Sequence, residues 1–580
     1  MITQPYYLRF LIIFSTLFLC DHSASVIAAI TASGDVNPSD PSTWTNATTP
    51  YIGQISNGIV KVDAGSGILS NEAFIGYSSG RTGEVTVDGD GSTWTNSSQL
   101  VVGYYGNGTL KITGGGAVSD TEVSISSSLK SVGMVTVDGT NSKWTNSSIL
   151  DVGLYGNGTL IITGGGAVSN TTGYIGYFSS SVGTVTVDGT NSKWTNSFYL
   201  EVGFSNKGTL KITGGGTVSD TSADIGYSLG SVGTATVDGI GSKWTNSSVL
   251  CVGWIGKGTL NITGGGTVSD TYGDIGFHSG SGTVMVDGNN SKWTNSSDLC
   301  VGNGMLHITG GGAVTAANTI INGKSLLAMD VGNGSLLTVN NGSGTITNSG
   351  TVRILAGAGA TAGKAYTPIS AGTWSGTGIY QAIGGKWNAT DHTFTASFVQ
   401  ATFSTLMPIT INLKDTQRVL AVLNSTQYGT GYGDLGVSFA PTTTDTLLDF
   451  NATPISGLPL TDLQTILNAN NQTLLSGWQV TATGGYTTGD PAYLSFDVGA
   501  GRSANDITVW HYDGAAWSQY DTTDLTCNGG YASFTVTGFS GYALTAVPEP
   551  GTLILLASGF LIMLVYLQRR LINRRSVNTV

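Results

Sequence analysis

Residues 135–170 read VTVDGTNSKWTNSSILDVGLYGNGTLIITGGGAVSN, and the chain writes this stretch again and again. Its tryptophans stand at Trp44, Trp94, Trp144, Trp194, Trp244 and Trp293, at spacings of 50, 50, 50, 50 and 49. A period that strict marks a solenoid, in which each unit buries its apolar face only against its neighbours. Each period also divides. From Gly208 the chain reads GTLKITGGGTVSDTSADIGYSLGSV and from Gly233 GTATVDGIGSKWTNSSVLCVGWIGK, two halves of 25 residues that both open on Gly-Thr and close on an apolar-Gly pair.

Alternation such as Leu210-x-Ile212 and Leu250-x-Val252 puts branched side chains on one face of a short strand and polar ones on the other. The expected fold is therefore all-β: a parallel β-helix of about 25-residue coils, two coils per repeat and about twelve in all. Triple glycines, for example Gly114 to Gly116 and Gly164 to Gly166, supply the positive φ that a corner needs. The solenoid is placed at 29–385, with the 50-residue repeats starting at 44. Beyond it the period is lost, and the strand-like runs of 386–546 predict a small β-sandwich. That module has one short helix over Thr461–Asn468, capped by Thr461, and a hairpin turn at Asp513-Gly514.

Both ends carry export signals. Residues 1–28 have a basic residue, an apolar run from Leu8 to Leu19 and then small residues, the pattern of a signal peptide. At the other end Pro548, Glu549 and Pro550 precede an apolar segment, 552–567, and then Arg569, Arg570, Arg574 and Arg575. The segment is read as a transmembrane helix with its basic flank in the cytoplasm. Residues 547–580 together resemble the PEP-CTERM sorting signal of bacteria. That resemblance implies an exosortase as processing partner, transient membrane insertion through the C-terminal helix, and delivery to the cell envelope, cell surface or extracellular matrix. The fifty-residue unit is similar to repeats of PEP-CTERM proteins and of autotransporter passenger domains, which implies a surface-exposed β-helix.

Composition narrows the function. Only 10% of the residues are charged and the formal net charge is -12, so no basic stripe is available for nucleic acid. The five histidines, His22, His278, His307, His392 and His511, lack metal-ligand spacing. No catalytic residue, no metal site and no cofactor is assigned, because a constant period leaves no protruding loops to carry an active site. The expectation is a non-enzymatic structural or adhesive protein that contacts extracellular polysaccharide or itself. A carbohydrate-active β-helix enzyme, a polysaccharide lyase or hydrolase, is the alternative.

Three recurring positions stand out, the first two with two readings each. The Asp of the Val-Asp-Gly turn, at Asp88, Asp138, Asp188, Asp238 and Asp287, either caps its turn, which is the expected role, or belongs to a calcium loop. If Ser242, Trp244 and Asn246 point inward, the tryptophans are core and Asn46, Asn96, Asn146, Asn196, Asn246 and Asn295 form an internal amide row. With the opposite phase, Trp94, Trp144, Trp194 and Trp244 make an exposed platform for sugar rings. The core phase is expected, since an exposed apolar row of that length would be sticky. Cys251 and Cys300 occupy one position of successive repeats, which at two coils per repeat sets them roughly 9.6 Å apart. That is too far for a disulfide, and two free, outward thiols are expected.

Overall fold

The computed structural model of the protein describes residues 29–357, 359–402, 409–413, 418–422, 434–439, 446–485, 489–499, 501–522, 524–528 and 530–546. One coil shows how the sequence makes the fold. Val132–Asp138 forms its long strand, Lys143–Asn146 the second and Ile149–Val152 the third. Val132 pairs in parallel with Asn107 of the coil before and with Asn157 of the coil after, 25 residues away in each direction. Trp144 lies between Val118 and Val168, so a tryptophan coil alternates with a valine coil and the repeat spans two coils. Stacking yields three sheets of 15, 13 and 15 strands, hence thirteen complete coils where about twelve are expected. The sheets are called here the long face, the tryptophan face and the third face.

The alternation sorts side chains as their polarity requires. On the long face Val135, Val137, Leu160 and Ile162 are fully buried while Thr136 and Ile161 between them are half-buried. Fully burying such a side chain contributes about 1.5–3 kcal/mol, and one continuous core runs from Val36 to Ala396. Corners need backbone that L-residues resist: Gly164 and Gly165 have φ of +59° and +92°. In the alternate coil the corner is Asp138-Gly139, with Gly139 at φ +96°. There the Ser142 hydroxyl donates to the Asp138 carbonyl at 2.6 Å and accepts the Gly115 N–H at 3.1 Å.

The Val-Asp-Gly aspartates also reach into the following coil. Asp88, Asp138, Asp188, Asp238 and Asp287 each accept the hydroxyl of a threonine in the following coil, at 2.6–2.8 Å: Thr113, Thr163, Thr213, Thr263 and Thr309. Each therefore clamps one coil to the next.

Both ends of the stack are covered by chain that departs from the coil pattern. At the start Ala29–Gly34 runs antiparallel along Gly58–Asp63, and Val36–Asn37 antiparallel to Tyr51–Ile52. At the finish Gly385–Asn388 and Thr393–Ala396 form a hairpin that brings Phe394 and Ala396 into the solenoid core. The core thus continues past residue 385, and this hairpin belongs with the solenoid rather than with the module that follows.

Downstream of the hairpin the strands form two six-stranded sheets. Leu435, Phe439, Phe496 and Phe534 from one share an apolar cluster with Ile411, Phe450, Trp478 and Tyr542 from the other. The helix spans Gly457–Ala469, starting ahead of the expected Thr461. Pro459 is accommodated in its first turn, where a missing N–H leaves no bond unmade, and Thr461 donates back to the Gly457 carbonyl at 3.1 Å. Asp513 does organise a hairpin: its Oδ1 accepts the N–H groups of Ala515 and Ala516 at 2.8 Å, and Tyr512 pairs with Trp517 across it.

Candidate functional site

The tryptophan row is interior. Trp94, Trp144, Trp194, Trp244 and Trp293 have no exposed surface. The sugar-platform reading of Trp94, Trp144, Trp194 and Trp244 is therefore corrected: strand alternation points all four indoles into the core, out of reach of any ligand. Ser242 and Asn246 are buried with Trp244, while Lys243 is exposed. The amide row holds for Asn96, Asn146, Asn196, Asn246 and Asn295; Asn46, before the coils become regular, is exposed.

What the amide row lacked was its partners. Each indole N–H donates to a side chain of the preceding coil: Ser70 at 2.9 Å, Asp120 at 2.6 Å, Asn170 at 2.6 Å, Asp220 at 2.7 Å and Asp270 at 2.5 Å. These acceptors alternate in register with the asparagines, for example Asp120 with Asn146 and Asp220 with Asn246. Burial pushes the carboxyls of Asp120 and Asp220 up to about 8, and that of Asp270 up to about 7, against the opposing pull of the indole N–H. The rung is a structural element closed to solvent, and no substrate reaches it.

The third face is different, because its outward positions carry chemistry. Asp151, Tyr174, Glu201, Asp224, Cys251, Asp274 and Cys300 follow one another in register, one per coil. Over them lies a row of rings. Tyr177, Phe204, Tyr227, Trp254 and Phe277 each follow a corner glycine, and successive centroids are 4.8, 5.1, 6.2 and 4.7 Å apart. This cover explains a departure from expectation. Cys251 sits on the outer side of its strand yet is buried, whereas Cys300 near the end of the row is half-buried; both thiols are free.

The same cover buries acids. Burial pushes Glu201 up to about 9, with its neighbour Asp224 adding to the shift. Asp151 and Asp224 are pushed up to about 7, again by burial first. Glu201 is only 6% exposed, and its Oε2 has no hydrogen-bond partner among the described residues. Beside it a cavity of about 440 Å³ opens between Tyr174, Tyr199, Phe204, Tyr227 and Trp254, with Glu201 and Asp224 among its walls. Here buried carboxyls, aromatic rings and open volume coincide on the third face. A signal for it stands in the sequence: the residue after the closing glycine is aromatic in Ile-Gly-Tyr227, Val-Gly-Trp254 and Ile-Gly-Phe277.

The described histidines lie apart. His307 is buried near Arg353 and Asp524, with its pKa lowered by burial. His392 stacks on Trp374 at 3.8 Å and His511 meets the Ser540 hydroxyl at 2.6 Å. The sorting residues Pro548, Glu549, Pro550, Arg569, Arg570, Arg574 and Arg575, the helix 552–567 and the signal peptide 1–28 lie outside the described residues.

Comparison with known families supplies what geometry does not. Residues 546–570 match the family described as the PEP-CTERM protein-sorting motif. The chain carries a PEP-CTERM sorting motif. That motif implies an exported protein of the bacterial cell envelope or surface that is processed by an exosortase. No curated protein and no solved structure matches the chain.

Proposed function

We propose that this is a structural or adhesive protein of the bacterial cell surface or extracellular matrix, without enzymatic activity. In this reading the solenoid is a stalk, the two sheets of residues 397–546 form a β-sandwich that spaces it from the cell, and the tail is removed after export. The observation that carries the reading is the pairing of the PEP-CTERM motif with a solenoid closed at both ends. Such a rod presents a long polar surface and covers the apolar core at its two ends.

The carbohydrate-active alternative would look to Glu201 and Asp224, a carboxyl pair beside a cleft on the coils. Those residues are register partners side by side on adjacent strands of one sheet, whereas a glycosidase pair flanks the scissile bond with room between for the sugar carbon or a water. Their placement supports the non-enzymatic reading. Reducing-end assays over a polysaccharide panel test it directly, and turnover of any member would overturn it. Surface labelling of intact cells, with mass spectrometry of the exported C-terminus, tests the sorting. A mature chain still ending beyond Arg575 would refute removal of the tail.

A further inference from the structure

We propose that the cleft over Glu201 and Asp224 binds an alkylammonium cation, its head on the two carboxyl groups and its methylenes along the aromatic walls. The inference concerns this cleft alone and does not depend on the protein being adhesive.

Three observations combine. First, no cation among the described residues acts on the two acids. Glu201 and Asp224 are partners in register on adjacent strands, and the neighbouring charges that act on them come from other acids. The ion pairs Lys61–Asp63 and Lys111–Glu84 lie several coils away. Two carboxyls that share a site cannot both ionise unless a cation joins them. Second, Glu201 is more than nine-tenths buried with one oxygen unpartnered, and it lines the cavity. Leaving such an atom unmatched is costly unless a donor arrives. Third, the cavity is walled by rings, so its occupant needs an apolar body behind a charged, donating head.

Other ligand chemistries fit less well. Among the described residues no group of three or more His, Cys, Asp or Glu is arranged to hold a metal ion, and a hard divalent cation asks for six or more oxygens. A sugar ring needs a free aromatic face to stack on. Here Phe204 lies between Tyr177 and Tyr227, at interplanar angles of 18° and 8°, so its faces are already taken, and a neutral sugar would leave the carboxyl pair without a counter-charge. A primary ammonium offers three donors and no acceptor, which matches two carboxyl groups better than a hydroxyl does.

The test is calorimetric titration of the purified full-length protein with 1,5-diaminopentane and with N-acetyl-lysine methylamide. 1,5-Pentanediol and glucose oligosaccharides serve as neutral controls. Saturable binding of the amines, at least tenfold tighter than the diol, is expected, and the tighter amine identifies the source as a free polyamine or a lysine side chain. The double variant Glu201→Gln/Asp224→Asn is expected to lose at least tenfold in affinity with an unchanged circular dichroism spectrum. If that variant misfolds, Ser222→Lys decides. Ser222 lines the cleft at its half-exposed rim, and its replacement would place a tethered ammonium in the site and block the free one. Equal binding of diol and diamine, absence of saturable amine binding, or unaltered affinity in a folded variant would overturn the proposal.

Discussion

Replacing Asp220 by asparagine should change how the stability of the solenoid depends on pH. The carboxyl is buried in the polar rung, accepts the Trp244 N–H at 2.7 Å, and faces Asn246 and the neighbouring acid Asp270. Burial raises it from 3.8 to about 8. The sign follows from the two states. Below pH 4 both folded and unfolded chains hold the proton, and the residue is neutral to stability. As pH rises toward 8 the unfolded chain releases its proton while the folded one keeps it, so folding is progressively disfavoured. Each pH unit in that window is worth about 1.4 kcal/mol, so between pH 5 and pH 7 one such residue costs ~3 kcal/mol. Asparagine removes the titration and keeps the acceptor. The protein already contains this substitution: Asn170 accepts the Trp194 N–H at 2.6 Å in the same rung. Urea unfolding of parent and Asp220→Asn at pH 5, 6 and 7 reads the difference. The advantage of the variant should grow by ~3 kcal/mol across the series. Parallel curves for the two proteins would refute the claim that the folded chain holds this carboxyl protonated.

Other consequences are open to simpler measurements. Trp144→Ala removes a fully buried indole and should cost about 3–5 kcal/mol; Trp144→Phe should cost less but strand the Asp120 carboxyl, and denaturant melts will rank the two. Gly158→Ala should destabilise by more than 2 kcal/mol, because an added Cβ would collide with the backbone nitrogen of Gly153 at the corner; retained parental stability would contradict the corner geometry. In native protein Cys300 should react with a thiol reagent well before Cys251, whose thiol burial pushes upward and the aromatic row covers. Comparable labelling rates would mean that the row does not seal the third face. Non-reducing mass spectrometry should find Cys251 and Cys300 unlinked, since each pairs with Asp274 from opposite sides.

The coils were legible because their determinants are local and repeated. Alternation in Leu210-x-Ile212 or Leu250-x-Val252 fixes a side, and the 25-residue halves fix what stacks on what. The inward phase of Trp244 followed from the same alternation. Pairings across coils were harder to see, since the acceptors Asp120, Asn170 and Asp220 stand 24 residues before the tryptophans they bind. Nothing in their local sequence distinguishes them from other strand-end polar residues. Cys251 shows the limit of alternation: it gave the correct side of the strand, but burial depends on rings contributed from beyond the next corner. The closing hairpin is hidden from the sequence for a related reason. Phe394 lies where the period has ended, and only its contacts with the last coils make it part of the solenoid.

Alternation of tryptophan and valine coils also restricts how such a rod can change length. Removing a valine coil or duplicating a tryptophan coil would set two indoles on adjacent strands, about 4.8 Å apart, and leave one N–H without its acceptor from the coil before; removing a tryptophan coil or duplicating a valine coil would leave one buried acceptor without its indole. Gaining or losing a whole 50-residue repeat preserves every rung. Length is therefore quantised in steps of two coils, roughly 9.6 Å. The rule lapses after Trp293, where Val314 and Leu337 occupy the column in succession. From there on, single coils can be exchanged, which makes that end of the rod the place where chains of this design are free to differ in length by odd numbers of turns.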